Sequence, residues 1–259
     1  LSKTKQGWWQ MLPVGPTAYG DSPYQSPSTY AGNPYFIDLK ALFDDGLLTE
    51  AELAAARQKA PYLCEFERLE RERLPLLSKA AERFSDYDAV EEFLAENPYV
   101  RRFCIFMAKR EANGKAPWRN WDTEKICDKT YRTWAFSQYV FFMQWRRLKA
   151  YANEKGIRIM GDIPIYVAYD SCDVWANRDQ FQLGEDGKPT AGAGCPPDYF
   201  AEDGQLWGNP LYDWDYLEQT DYEWWFERVK AASKLYDITR IDHFRAFASY
   251  YSIPYPAEN

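Results

Sequence analysis

Two runs of strand-forming residues, GIRIMGDIPIYV at 156–167 and ITRID at 238–242, each follow a stretch with helical periodicity. Before the first, apolar residues recur at helical spacing over 123–155, among them Trp134, Val140, Phe141, Trp145 and Leu148, and Gly156 stops the pattern. Before the second, Thr220 and Glu223 make a capping-box pattern that predicts a helix to about Tyr236. Strands that alternate with helices predict an α/β fold with a parallel sheet. The first run lacks clean apolar–polar alternation, as expected of a strand buried on both faces. WWQMLPV at 8–14 reads as a further short buried strand.

Between these segments the pattern changes. Thr49 with Glu52 forms another capping box, and helical patterning covers 49–60, 62–83, 86–95 and 98–112. This predicts three parts: 1–48 with a strand and a long loop, an all-helical insertion at 49–122, and 123–259 with the later strands and helices. A Gly/Pro-rich loop is expected at 184–213, and no internal repeat is evident. The 259 residues are 46% hydrophobic, enough for a sizeable core. The net charge of −8 argues against nucleic acid or an anionic membrane as partner. No stretch approaches the ~20 apolar residues of a membrane span. The five cysteines, Cys64, Cys104, Cys127, Cys172 and Cys195, form no CxxC pair, which predicts neither a disulfide framework nor a zinc site and fits a reducing cytoplasm.

In parallel α/β folds reactive residues gather at the carboxyl ends of strands. Asp162 follows RIMG and Asp242 follows ITRI, so both hold that position. Arg240 and Asp242 are two residues apart and share one side of a strand. A neighbouring arginine favours a carboxylate's ionised form, which a carboxylate nucleophile needs. A structural ion pair at a strand end accounts for the same residues equally well. His243 is the sole histidine and has no Ser or Cys near it in a triad-like pattern, so a contact to substrate suits it better than general-base work. YGDSPYQ (19–25) and PPDYFAEDGQLWGNP (196–210) mix aromatic rings with short polar groups. Rings of this kind stack on pyranose faces while Asp, Gln and Ser bond hydroxyls, which points toward a glycan site. Pro-stiffened loops with packed rings are the plainer account.

Four stretches carry a closer resemblance: WWQMLPVGPTAYGDSPYQSPSTYAGNPYFIDL, GIRIMGDIPIYVAYDSCDVWAN, PPDYFAEDGQLWGNPLYDWD and TRIDHFR. They cover about a third of the chain and resemble, in order, the 4-α-glucanotransferases (amylomaltases) of glycoside hydrolase family 77. The resemblance implies part of a (β/α)8 TIM barrel, strands 2–4, with a helical insertion. It implies retaining transfer of α-1,4-glucan segments between maltooligosaccharides, with no cofactor and in the cytoplasm. Asp242 matches the family's nucleophile and Arg240 its charge partner. Asp162 and His243 match donor-subsite contacts. Asp198, Tyr199, Phe200, Gln205 and Trp207 fall on the loop that covers substrate, and Tyr19, Ser22 and Tyr24 on the first glucan-binding loop. The family's acid/base glutamate has no match within these 259 residues, so the chain reads as an internal portion of a longer enzyme, inactive by itself. An α-amylase-type hydrolase and a non-catalytic glucan-binding module remain the alternatives.

Overall fold

The computed structural model describes residues 1–58, 60, 62–199 and 201–255, Tyr19 through its backbone alone. The strands are β1 (Trp8–Gln10), β2 (Arg158–Pro164), β3 (Ala191–Cys195), β4 (Gln205–Pro210), β5 (Ile238–Asp242) and β6 (Tyr251–Pro254). The helices are α1 (Leu39–Asp44), α2 (Glu50–Ala55), α3 (Phe66–Arg83), α4 (Tyr87–Glu96), α5 (Pro98–Ala112), α6 (Asp128–Glu154), α7 (Cys172–Ala176), α8 (Trp214–Gln219) and α9 (Glu223–Leu235). The chain divides into two compact units, Leu1–Tyr30 with Lys149–Asn259, and Ala31–Leu148.

The first unit is a mixed α/β structure built on a parallel sheet in the order β1-β2-β5. Central strand β2 pairs with both neighbours, and its register sets Asp162 opposite Arg240 and Pro164 opposite Asp242. Asp237, just ahead of β5, fixes that register: its carboxylate accepts from the Ile159 N–H at 2.8 Å and from Asn153 Nδ2 at 2.9 Å. Gly161 lies under the buried ring of Tyr236, where any Cβ would sit 2.2 Å from ring carbons. Beyond the end of β2, Arg228 of α9 is buried and donates to the carbonyls of Pro164 and Ile165. Its guanidinium also faces the Trp225 ring at 4.8 Å. The turn of chain leaving β2 is thereby held by a charged donor on two backbone acceptors.

Several expectations differ from this structure. The strand at 8–14 is restricted to Trp8–Gln10 and is exposed, with Trp8 42% and Trp9 37% accessible. Among the described residues it pairs with β2 on one side only, and Trp8 packs on the Arg158 guanidinium at 5.5 Å. Within 184–213, where the composition predicts a loop, β3 and β4 form an antiparallel pair that β6 extends in the order β4-β3-β6. Strand β3 reads AGAGC, and a Cβ at Gly194 would lie 2.3 Å from the Gln205 carbonyl, so close pairing itself requires glycine there. The Thr220–Glu223 capping box does not form. Thr220 donates its hydroxyl back to the carbonyls of Tyr216 and Leu217 at the end of α8, and α9 begins after Tyr222 in a left-handed conformation.

The second unit packs α1 to α5 and the first part of α6 around Leu42, Leu77, Leu94, Phe103, Phe106 and Phe136, all nearly inaccessible. The Thr49–Glu52 capping box forms as expected, and Glu52 also pairs with Arg83 at 2.6 Å. Buried Gln138 closes a two-way amide clamp on the Gly32 backbone, at 2.7 and 2.9 Å. Helix α6 begins at Asp128 rather than near 123 because the Asn113 side chain binds the backbone of Asp122 and Thr123.

Gly161→Ala is expected to destabilise the chain by about 1–3 kcal/mol through overpacking against Tyr236. Urea unfolding measures this, and an unchanged midpoint would mean that the ring is free to move aside.

Candidate active site

The β2–β5 register brings two carboxylates to the same end of the parallel sheet with one guanidinium between them. Arg240 Nη1 lies 2.9 and 2.8 Å from the two oxygens of Asp162, and Nη2 bonds Asp242 Oδ1. Asp162 is 2% exposed, and the Tyr24 hydroxyl donates to its Oδ2 at 2.6 Å. Asp242 is different: its side chain is 39% exposed, and its second oxygen makes no hydrogen bond among the described residues. One carboxylate is therefore consumed in structure, whereas the other is oriented with a lone-pair edge open. The trio carries a formal charge of −1.

Electrostatics follows the contacts. The Arg240 guanidinium is pushed further up in pKa, first by its hydrogen bonds to Asp162 and then, against some desolvation, by the charges of Asp162 and Asp242. Burial raises the Tyr24 hydroxyl to about 12, and the hydrogen bond to Asp162 adds to the rise. Tyr24 is thus a neutral donor at ordinary pH. It is presented by a tight turn: Gly20 and Asp21 have φ of 65° and 54°, and Ser22 Oγ accepts from the Tyr24 N–H at 3.2 Å.

His243 follows Asp242 directly in a left-handed conformation, φ 53° and ψ 41°, which an L-residue adopts at some cost. Its ring meets the Trp207 ring edge-to-face, with centroids 5.1 Å apart at 87°. Trp207 stands on β4 with its indole N–H donated to Gln205 Oε1 at 2.9 Å. The structure thus brings together Tyr24, Asp162, Arg240 and Asp242, and separately Gln205, Trp207 and His243, linked through the 242–243 peptide. Ser22 acts through the turn. Asp198 accepts from the Ala201 N–H at 2.8 Å within its own loop, and Tyr199 is 97% exposed. Phe200 lies outside the described residues, and nothing is described of the Tyr19 side chain.

Sequence reasoning missed two features. The pairing of Arg240 with Asp162 joins residues 78 apart, and strand register alone supplies it. Gln25 and Asn209 join the group as well: Gln25 Nε2 donates to Asn209 Oδ1 at 3.2 Å and to the Trp207 carbonyl at 3.4 Å. Both sit inside the aromatic loops already singled out, but an amide–amide contact leaves no pattern in sequence. Among the described residues no group of three His, Cys, Asp or Glu side chains is placed to hold a metal ion. Among them, too, no helix is long and apolar enough to cross a membrane.

The family model described as 4-alpha-glucanotransferase matches residues 1–259. A 4-alpha-glucanotransferase of Clostridium butyricum is 44% identical over 277 residues, covering 98% of this chain and 56% of its own. One from Thermus thermophilus is 43% identical, with 95% and 53% covered. Among solved structures, an amylomaltase from Streptococcus agalactiae in complex with acarbose superposes with a TM-score of 0.94 at 38% identity, covering 99% of this chain and 56% of that one. The chain spans about half the length of the curated relatives it matches.

The Tyr24 hydroxyl holds its proton more tightly folded, at about 12, than at its ordinary 10.0. It therefore contributes stability that is complete below pH 10 and is lost as pH rises towards 12. Urea unfolding of wild type and Tyr24→Phe across that range is expected to show a stability gap that narrows with rising pH. A constant gap would contradict the raised pKa that burial and the Asp162 bond give Tyr24.

Proposed function

The chain belongs to the 4-alpha-glucanotransferase family, and from that premise we propose that it is part of an enzyme moving α-1,4-glucan segments between maltooligosaccharides with retention. The observation that carries this is Asp242, oriented by Arg240 through one oxygen and open at the other. In the proposed reaction the open oxygen attacks the anomeric carbon as the bond to the leaving glycan oxygen breaks. A glycosyl ester forms on Asp242, and the leaving oxygen takes a proton from a carboxylic acid. In the second half the same acid, now a carboxylate, removes the proton from an acceptor 4-hydroxyl. That oxygen attacks the anomeric carbon and frees Asp242. The net negative charge of the trio favours the oxocarbenium-like character of both transition states.

Asp162 does not suit the acid's role, because it is buried and fully engaged by Arg240 and Tyr24. Retaining chemistry needs the second carboxyl about 5 Å from the nucleophile. We place that residue, a glutamate, in the remainder of a longer protein, in keeping with the half-length match. Trp207 and His243 form the wall against which a glucose ring stacks and hydrogen-bonds, with Gln205 holding the indole. Tyr19, Ser22, Asp198, Tyr199 and Phe200 belong to the loops that meet more distant sugars. On this reading β1, β2 and β5 are strands 2–4 of a (β/α)8 barrel, 49–122 is its helical insertion, and 184–213 lies over the substrate. The protein works in the cytoplasm without a cofactor.

Full-length enzyme incubated with maltotriose is expected to give glucose and longer oligomers while the number of reducing ends stays nearly constant. Asp242→Asn should lower the rate by about 10³-fold or more, and the 259-residue chain alone should give no turnover. Rising reducing ends would identify a hydrolase instead. Activity retained in Asp242→Asn would remove this residue from the chemistry.

A further inference from the structure

Tyr24 and Gln25 are adjacent, yet their side chains bind opposite parts of the site. Tyr24 reaches Asp162 on β2, in the parallel sheet, while Gln25 reaches Asn209 and the Trp207 carbonyl on β4, in the antiparallel sheet. Asn209 is 5% exposed, and its own amide nitrogen donates at 2.8 Å to the Val167 carbonyl, three residues past the end of β2. The orientation of each amide is fixed by the other's needs. With Asn209 Nδ2 spent on Val167, its oxygen faces Gln25, so Gln25 must offer its nitrogen, and that nitrogen is shared with the Trp207 carbonyl. The Asn209–Val167 bond ties β4 to the chain leaving β2, and Gln25 braces the indole end of that same strand through Asn209 and the Trp207 carbonyl.

We propose that Gln25, with Asn209, is a positioning residue that holds β4 at the distance from β2 and β5 where Trp207 meets His243. It touches no sugar in this account and acts through Trp207. The dipeptide Tyr24–Gln25 then serves as a staple between the sheet that carries the carboxylates and the sheet that carries the stacking ring. Few other contacts in this group hold the ring in place: the indole N–H bonds Gln205 on its own strand, and the Tyr166 ring lies 6.3 Å away and tilted at 49°. Loss of the Gln25 donor removes its bonds to Asn209 and to the Trp207 carbonyl while the β3 pairing and the Asn209–Val167 bond remain, so it loosens β4 at the indole and weakens sugar stacking more than it disturbs Asp242.

This inference rests on the proposed glucanotransferase function, and the test separates the two. In full-length enzyme acting on maltotriose, Gln25→Met keeps the side-chain length and removes the donor. It is expected to lower kcat/KM about tenfold, the scale of one net hydrogen bond, chiefly through a higher KM. In a Trp207→Ala background the same change should cost less than about twofold, because the ring it positions is gone. Gln25→Glu, which sets an acceptor against two acceptors, should reproduce the loss and its dependence on Trp207 if the methionine variant folds poorly. Equal losses in both backgrounds, or a loss carried by kcat, would overturn the positioning role while leaving the enzyme's function intact. Wild-type enzyme without transferase activity would sink the function and this inference together.

Discussion

Arg240 is the hinge of the arrangement. A single guanidinium reaches the carboxylate across the sheet, Asp162, and the carboxylate two residues along its own strand, Asp242. The first contact neutralises a charge that would otherwise be buried without a partner, at a cost of several kcal/mol. The second aims Asp242 and fixes which of its oxygens stays open. Both depend on the β2–β5 register that sets Asp162 opposite Arg240. A slip of one residue would send the side chains to opposite faces and dissolve the trio. Asp237 on the backbone of Ile159, Gly161 beneath Tyr236 and Arg228 beyond the strand end all serve that register.

Parts of this design were legible in the sequence. Short β-branched runs after helical stretches marked the strands at 158–164 and 238–242, although only the first is largely buried and the second, ITRID, is open along its length. The Thr49–Glu52 box was legible because capping is a local interaction. Other features depend on partners distant in the chain. AGAGC has almost no strand propensity and becomes β3 through pairing with β4 and β6. Thr220 sits between two helices and bonds the one behind it, a choice that spacing does not encode. At the site, the Arg240–Asp242 pair follows from a two-residue spacing, whereas Asp162 enters only through register and Gln25 only through tertiary contact.

The division of labour between the two aspartates is a matter of environment. Identical side chains on adjacent strands, Asp162 within β2 and Asp242 at the end of β5, differ in accessibility and in the number of donors they receive. The buried one, bound by Arg240 and Tyr24, is a fixed negative element, and the exposed one is the group with a free electron pair. His243, strained at positive φ, follows Asp242 directly in the chain and carries the Trp207 contact.

The central claim is that Asp242 forms the bond to the sugar. An α-maltosyl fluoride tests it without the acid partner, because fluoride departs unprotonated. A full-length variant whose acid/base glutamate is replaced by glutamine, exposed to that donor, quenched in acid and digested, is expected to yield the peptide containing ITRIDHFR with a maltosyl ester on Asp242. A label on Asp162 or on any other residue would contradict the account.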